Sequence, residues 1–346
     1  MIDNIPVIDA SMFAYDKHEQ LDEDIGNAAR NLGFLILTNL PSFKPEELEK
    51  KITAVFELED DDQDKLMKQS SNPANPNRYR GMFSSGSGAN LSERPMGYEI
   101  GPDIHYPLHK NNEVDILREP TPFPDSEKLP EWKDAAAEWF KTVQRLGIKI
   151  LASLARSNGF EESSFAIDET NSISTMRILH YPTFDFEEKL NEINYPLVNH
   201  QQKNFVQTTG GHVDSGLITL LYQCNEPGLQ AKAISGEWVN VPVIKNSLVI
   251  NFGGLLERIT GGLIRATEHR VLSTGKKRFS IPFFFEPDAD QVISAVPGAP
   301  AFQPFYYGDY LWTKATKFPP NIGLEHLREN RGEFIDPNDV SVSKNE

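Results

Sequence analysis

The chain has 346 residues, of which 39% are hydrophobic and 10% aromatic, enough for a large packed core and too many for a globally disordered chain. Its net charge of −16, from 50 acidic and 34 basic residues, argues against nucleic acid or an anionic membrane as a partner, because phosphate binding needs concentrated positive charge. The single cysteine, Cys224, excludes an internal disulfide and a thiolate metal cluster. The low cysteine content, together with the lack of a recognisable secretory signal, favours a cytoplasmic protein. The sequence also has no apolar run long enough to predict a membrane span.

The first part of the chain alternates short strands and helices. Residues 5–9 alternate apolar and polar side chains and predict a first strand. Apolar positions at helical spacing predict a helix over Leu21–Asn31, which Gly33 can end, and residues 34–39 then predict a second strand. A proline and acidic residues in a first turn predict a further helix over Pro45–Lys68. We interpret the unit of helix, Gly33 and strand over residues 21–39 as scaffold.

A long irregular stretch precedes the clearest helix. Residues 70–130 are rich in proline and contain a Gly/Ser tract, so they predict a loop, and loops of this length are usually functional or mobile. We expect part of this loop to cover the mouth of a pocket. Apolar residues at helical spacing over residues 130–158 then predict a long amphipathic helix that braces a sheet.

From Ser172 onward, short apolar or alternating strands follow one another between turn residues, a pattern typical of a barrel or double-sheet jelly roll whose mouth can hold a ligand. The predicted strands are 173–181, 204–212, 216–223, 228–232, 237–241, 247–252, 265–272 and 277–286. Residues Tyr310 to about Arg331 predict helices, and the last residues from Asp336 predict a frayed tail.

These elements predict a mainly β protein with flanking helices, an α+β chain. Its organisation would be an N-terminal helix-rich region over 1–165, a β core over 166–300 and a C-terminal helical extension over 301–346. The pocket-covering loop belongs to the first of these regions and packs on the core.

The pair His212 and Asp214 stands at the edge of a predicted strand. On a strand, residues i and i+2 project from the same face, so an imidazole and a carboxylate would lie side by side. One more histidine would complete the 2-His-1-carboxylate set that binds non-haem Fe(II) and leaves positions open for substrate and O₂. The composition alone predicts about one His-x-acid pair by chance, so the pair needs companions.

Two later strands supply those companions. His269 lies on the predicted strand 265–272, which a barrel can bring next to the pair; alternatively it is a polar residue between strands. Arg278 and Ser280 share one strand face beside the apolar run Phe283–Phe285. A guanidinium in such surroundings is costly unless it meets an anion, so these residues predict a carboxylate partner, either a ligand or a side chain of the protein.

At this point the sequence resembles the isopenicillin N synthase-like family of Fe(II)/2-oxoglutarate-dependent dioxygenases. The resemblance covers most of the chain, and its motifs agree in order and spacing. They are Ile5-Pro6-Val7-Ile8-Asp9, Gly33-Phe34-Leu35, Met176-Arg177-Ile178-Leu179-His180-Tyr181-Pro182, His212-x-Asp214, His269, Arg278-x-Ser280 and Tyr307-Gly308-Asp309-Tyr310-Leu311.

The resemblance implies a double-stranded β-helix, the cupin-like jelly roll, with His212, Asp214 and His269 binding Fe(II). It implies that Arg278 and Ser280 hold the distal carboxylate of 2-oxoglutarate and that Tyr181 contributes a hydroxyl. Leu179 and His180 depart from the polar residue and tyrosine common at these positions in the family, which suggests that the chelating end of 2-oxoglutarate is held differently.

The implied reaction oxidises an unactivated C–H bond of a small molecule with O₂ and releases succinate and CO₂. Hydroxylation is the default outcome, and desaturation and oxidative cyclisation are the alternatives; ascorbate is the expected activator in vitro. Two rivals remain: an Fe(II) oxidase of the same fold that uses no 2-oxoglutarate, and a metal-free β-barrel binding protein. A zinc hydrolase is disfavoured, since the sequence has no His-Glu-x-x-His motif and no obvious base beside the triad.

The substrate is the least determined part of the prediction. The pocket should be lined by residues 70–110, by the strand region 173–186 and by the segment after Phe285. The loop candidates for substrate contact are Arg78, Arg80, Phe83 and Tyr98. One of the arginines is expected to meet a polar or anionic substrate; alternatively, both lie on the surface. We expect a monomer, with a dimer as the alternative.

Overall fold

A computed structural model describes residues 4–14, 18–41, 43–84, 95–106, 115–183, 196–224, 226–273 and 275–329. The tail from Asp336 and parts of the predicted covering loop, residues 85–94 and 107–114, lie outside these ranges.

The described strands form two facing sheets and a small hairpin. The larger sheet has eight strands in the order β1-β2-β11-β8-β13-β5-β4-β3, the smaller has five in the order β10-β9-β12-β7-β6, and β14 pairs with β15. The strands are β1 Val7–Asp9, β2 Phe34–Thr38, β3 Gly81–Ser84, β4 Met96–Ile100, β5 Thr175–Tyr181, β6 Leu197–His200, β7 Lys203–His212, β8 Ile218–Tyr222, β9 Leu229–Lys232, β10 Trp238–Asn240, β11 Leu248–Phe252, β12 His269–Ser273, β13 Arg278–Phe285, β14 Val292–Ile293 and β15 Phe305–Tyr306.

Six α-helices in the described ranges flank the sheets. They are α1 Glu19–Asn31, α2 Pro45–Thr53, α3 Asp60–Asp64, α4 Trp132–Ser157, α5 Gly254–Ile259 and α6 Tyr307–Ala315. No helix among the described residues is both long enough and apolar enough to cross a membrane.

Helix α4 packs against the outer face of the larger sheet. The Phe140 ring lies 4.8 Å from that of Phe283 on β13. Gly147 allows this close approach, because a Cβ atom there would stand 2.7 Å from the Phe285 ring. Trp132 similarly contacts Tyr98 on β4, with ring centroids 5.6 Å apart. Side chains alternate between the two faces along each strand. The residues next to Phe283, Phe285 and Tyr98 on their strands therefore point toward the smaller sheet.

The inner face of the larger sheet closes against the smaller sheet. At one end an apolar cluster joins them, formed by residues of β2, β8 and β11 on one side and of β9 on the other. Its buried members include Phe34, Leu221, Leu229, Ala231 and Val249. The space between the sheets is thus sealed by hydrophobic packing at that end, and polar side chains occupy other parts of it.

The predicted jelly-roll architecture is confirmed, and each of the eight predicted strands after Ser172 is present with bounds shifted by a few residues. The prediction of one helix over Pro45–Lys68 is wrong, because Leu58 has extended backbone (φ −64°, ψ 154°) between two shorter helices. Residues 70–130 are not wholly irregular, since β3 and β4 extend the larger sheet. The C-terminal helix ends at Ala315 and is followed by short 3₁₀ turns.

Candidate active site

The predicted triad converges between the two sheets. His212 ends β7 and His269 begins β12, and the strand register sets these two residues directly opposite each other. Asp214 follows two residues after His212. Its Oδ1 lies 3.6 Å from Nε2 of His212 and 3.7 Å from Nε2 of His269. One ligand atom from each residue falls within 4.8 Å of the others, so the three can coordinate one metal ion.

Both imidazoles are held with Nε2 toward the centre of the site. Nδ1 of His212 donates to the Gly210 carbonyl at 2.9 Å, and Nδ1 of His269 donates to the Thr267 carbonyl at 3.1 Å. A carbonyl can only accept, so the proton resides on Nδ1 and the Nε2 lone pair is free for a metal. Burial lowers the pKa of His269, which favours the neutral form that a metal requires.

The carboxylate of Asp214 is fixed by two side chains from the inner face of the larger sheet. Thr219 on β8 donates to Oδ2 at 2.6 Å, and Asn251 on β11 donates to the same oxygen at 2.8 Å. Oδ1 is left facing the two imidazoles. Burial opposes ionisation of this group, but His269, His212 and the two hydrogen bonds outweigh it and hold the pKa of Asp214 below its usual value.

We expect Asn251→Ala to weaken Fe(II) binding about 10- to 100-fold, because the Asp214 carboxylate loses one of the two donors that orient it. Fe(II) titration of the purified variant measures the effect. Asn240→Ala is the matched control, since Asn240 bonds with Gln230 on the smaller sheet and makes no contact with Asp214. An Asn251→Ala protein with wild-type Fe(II) affinity would contradict this role.

Arg278, on β13, has a guanidinium nitrogen without a hydrogen-bond partner within the described ranges. Its side chain is buried; Nε donates to the Glu226 carbonyl at 3.3 Å and Nη2 contacts the Ser280 hydroxyl at 3.4 Å. Nη1 is buried without a hydrogen-bond partner. Among the described residues no carboxylate comes within ion-pair distance of this guanidinium, which argues against a side-chain partner. A buried, unpaired guanidinium is the group that a ligand carboxylate would satisfy.

Tyr181 stands beside this arginine. Arg278 and Tyr181 are direct partners in the pairing of β13 with β5, and the guanidinium carbon lies 5.3 Å from the centre of the Tyr181 ring. Arg278, Ser280 and Tyr181 therefore lie together on one sheet face. Two features of the structure thus fit an Fe(II) ion and an anionic co-substrate: a donor set with free Nε2 and Oδ1 atoms, and an orphaned guanidinium nitrogen.

The four predicted substrate residues are dispersed. Phe83 lies on the inner face, where its ring packs against Phe318. Arg78 is exposed. Arg80 is buried and donates to the Thr175 hydroxyl at 2.6 Å, and Tyr98 faces α4 on the opposite side of the sheet. These placements give no support to substrate contact by Tyr98, whose side chain points away from the space between the sheets, or by Arg80, whose buried guanidinium already bonds to Thr175 and Leu117.

Sequence reasoning missed a second charged group on the inner face, formed by Lys68, Glu99 and Arg177. Arg177 belongs to the motif that contains Tyr181, four residues later, and strand alternation alone sets both on one face. The Asp214 partners Thr219 and Asn251 were also missed. Each stands at an inward position of an otherwise apolar strand, which is the signal that could have identified them.

Comparison with known proteins agrees with this geometry. The model of the 2OG-Fe(II) oxygenase superfamily matches residues 176–287, which contain the triad, Arg278 and Ser280. A 2-oxoglutarate-Fe(II) type oxidoreductase of Emericella nidulans is 34% identical over 206 residues, 58% of this chain and 54% of that protein. The chain thus spans about half of that relative's length. Isopenicillin N synthase of Streptomyces clavuligerus is 25% identical, with 89% of this chain and 93% of that protein covered.

Solved structures show the same architecture. A full-length Neurospora crassa protein in complex with alpha-KG superposes with a TM-score of 0.72 and 25% identity, covering 90% of this chain and 96% of that one. A putative 2OG-Fe(II) oxygenase family protein from Caulobacter crescentus superposes with a TM-score of 0.70 at 20% identity, a likeness of fold. The superposition extends beyond the β core, because it includes most of the N-terminal region.

Proposed function

We propose that this chain, which belongs to the 2-oxoglutarate–Fe(II) oxygenase superfamily, oxidises a C–H bond of a small-molecule substrate, with hydroxylation as the default outcome. The chain is an Fe(II)/2-oxoglutarate-dependent oxidoreductase, and its metal and co-substrate are Fe(II) and 2-oxoglutarate. Desaturation and oxidative ring closure use the same site and are the alternative outcomes.

The observation that carries the proposal is the orphaned Nη1 of Arg278 on the same inner face as the residues that hold Asp214. His212, Asp214 and His269 would hold the metal, and Arg278 with Ser280 would hold the distal carboxylate of 2-oxoglutarate. When bound, Fe(II) and 2-oxoglutarate activate O₂ for oxidation of a substrate C–H bond, with release of succinate and CO₂.

The protein's own residues position these partners. The carbonyls of Gly210 and Thr267 keep both imidazoles in the metal-binding tautomer, and the two donors to Asp214 leave Oδ1 available. Asp214 and His269 are buried, whereas the His212 side chain is 42% exposed. The site therefore opens on the His212 side, and its buried side limits the access of water to the reacting groups.

The strongest rival is an Fe(II) oxidase of the same fold in which Arg278 holds the carboxylate of the substrate itself. The guanidinium serves either anion, so the distinction is functional. Leu179 stands directly opposite Ser280 and offers no hydrogen bond to a chelating carboxylate, which leaves that end of 2-oxoglutarate to other residues.

Oxygen consumption and succinate formation by the purified chain test the proposal. With Fe(II) and ascorbate present, we expect oxygen uptake to require 2-oxoglutarate and one succinate to form for each O₂ consumed. The Asp214→Ala variant provides the metal-free blank. Oxygen uptake that proceeds without 2-oxoglutarate and yields no succinate would replace this proposal with the rival oxidase.

A further inference from the structure

A second buried ionic cluster lies on the inner face of the larger sheet. Glu99 on β4 is its centre, with its side chain only 5% exposed. The fully buried Lys68 ammonium contacts one carboxylate oxygen of Glu99 and also donates to Asn321 at 3.1 Å. Arg177 on β5 donates to the other oxygen from Nε, at 3.0 Å, and from Nη2. Two basic side chains thus share one carboxylate.

The cluster carries more positive than negative charge. Burial disfavours ionisation of Glu99, but Lys68 and Arg177 outweigh it and lower the pKa of this carboxyl to about 2. Arg80 lies near, and its guanidinium donates to uncharged oxygens of Thr175 and Leu117. Within the cluster itself, Lys68 and Arg177 are two basic groups that share the single carboxylate of Glu99.

A further acidic residue close to the cluster does not restore the balance. Glu286 follows β13 on the same face, and burial raises the pKa of its carboxyl to about 8, which disfavours its charged form. Excess positive charge away from water is costly, and the cost is removed when an anion binds.

The Arg177 guanidinium has one nitrogen, Nη1, that makes no hydrogen bond among the described residues, and it lies beside aromatic rings. Within the described ranges its hydrogen bonds leave from Nε and Nη2, both to Glu99, and Nη1 makes none. The side chain is 19% exposed, in contrast to the fully buried Lys68. Its guanidinium carbon lies 4.4 Å from the centre of the Phe318 ring and 5.0 Å from that of Phe284. A ligand at Nη1 would therefore meet one charged donor and apolar rings.

Arg177 and Thr219, the partner of Asp214, lie on strands that flank β13 from opposite sides. The pairing of β13 with β5 sets Ser280 opposite Leu179 and Phe283 opposite Met176, so Arg177 faces Pro282. On the other side of β13, Phe284 pairs with Thr219, which holds Asp214. Two strand spacings, roughly 10 Å, separate β5 from β8. A substrate anchored at Arg177 can thus extend toward the triad.

We propose that the substrate is a small carboxylic acid whose carboxylate binds Nη1 of Arg177 and whose apolar body lies along Phe284 and Phe318. Glu99, itself held by Lys68, positions the guanidinium by occupying Nε and Nη2. A carboxylate fits better than a phosphate for two reasons. Glu99 leaves only one nitrogen of the Arg177 guanidinium unbonded, and the positive charge of the cluster exceeds its negative charge by little. This inference rests on the proposed function.

The test screens aromatic and aliphatic monocarboxylic acids, each beside its primary amide, and includes matched phosphomonoesters. The enzyme is loaded with Fe(II) and 2-oxoglutarate, and both binding heat and succinate formation above the substrate-free rate are measured. We expect the ligands that bind and stimulate turnover to be acids, with their amides weaker by at least about 10-fold. Preferred binding of amides or phosphomonoesters, or no binding of any acid, would overturn the inference.

Variants of Arg177 connect the preference to this residue. Arg177→Gln should weaken the best acid by about 10-fold or more while calorimetric binding of Fe(II) and 2-oxoglutarate persists, and Arg177→Lys should retain the preference for acids. Arg156→Gln is the matched control, since Arg156 is similarly buried but pairs with Asp22 on the helices. Unchanged acid affinity in Arg177→Gln would overturn the inference, as would a loss of 2-oxoglutarate binding, which would assign the co-substrate to Arg177.

The same assay separates this inference from the proposed function. Substrate-free succinate formation reports the co-substrate reaction alone, so its presence without a preference for acids overturns only the substrate class. Absence of succinate with every acid as well as without one, together with no binding of 2-oxoglutarate to the Fe(II)-loaded chain, overturns the proposed function and this inference with it.

Discussion

Replacing Asp214 by alanine is expected to abolish stoichiometric Fe(II) binding and to reduce turnover at least about 100-fold, because loss of a ligand should exceed the effect of losing its supporting partners. Asp214 is the only acidic member of the triad, and its Oδ1 lies within 3.7 Å of both imidazole nitrogens. Without it, two neutral imidazoles remain and the dication loses its charge partner. Metal content after anaerobic Fe(II) loading and desalting measures this directly.

The control for this variant is His326→Ala, which removes an exposed histidine outside the triad. Thermal unfolding of the metal-free proteins shows whether Asp214→Ala remains folded. If Asp214→Ala retains one Fe(II) per chain with wild-type affinity, the triad is not the metal site. A wild-type chain that binds no Fe(II) would favour the metal-free binding protein.

Replacing Arg278 by leucine is expected to weaken 2-oxoglutarate binding by about 30-fold or more, because truncating one member of a buried charge pair typically costs 2–5 kcal/mol. Leucine keeps the apolar volume beside Tyr181 and removes the donors. Ser280→Ala should weaken binding less, by about 10-fold, since it removes one hydrogen bond to a charged group. The KM for 2-oxoglutarate and a calorimetric titration measure both effects.

Lys276→Leu serves as the control for Arg278→Leu, since it removes an exposed cation two residues away. Fe(II) content should be unchanged in all three variants. An Arg278→Leu enzyme with wild-type affinity for 2-oxoglutarate would mean that this guanidinium does not hold the co-substrate. A higher KM for the substrate alone would instead favour the oxidase that uses no 2-oxoglutarate.

The β core could be predicted from sequence because its periodicity is strong. Strands such as β8 and β13 consist of apolar or alternating residues between turn residues, and tertiary packing agrees with these local preferences. The His212–Asp214 pair followed from the same period. The spacing of residues in the sequence could not predict the register between β7 and β12, which sets His269 opposite His212.

Strand β4 and the helix break at Leu58 could not be predicted from the sequence, for physical reasons. Strand β4 lies in a region rich in proline and glycine, and its inward Glu99 interrupts the apolar pattern that would mark a buried strand. The helix predicted over Pro45–Lys68 breaks at Leu58, where no proline or glycine signals an end.

The ionic cluster joins residues 31 and 78 positions apart in sequence, Lys68 with Glu99 and Glu99 with Arg177. Such contacts depend on sheet order rather than on local spacing. Two of the four substrate candidates, Arg80 and Tyr98, were placed by proximity in sequence, and strand alternation directs Tyr98 to the other face.

Anaerobic titration of 2-oxoglutarate into the wild-type chain, with and without Fe(II), tests the central claim most directly. The triad and Arg278 are inferred to hold the two ends of one co-substrate complex. Saturable binding of one 2-oxoglutarate per chain is therefore predicted, strong with Fe(II) and much weaker without it. Binding that does not depend on Fe(II), or no binding in its presence, would contradict the account.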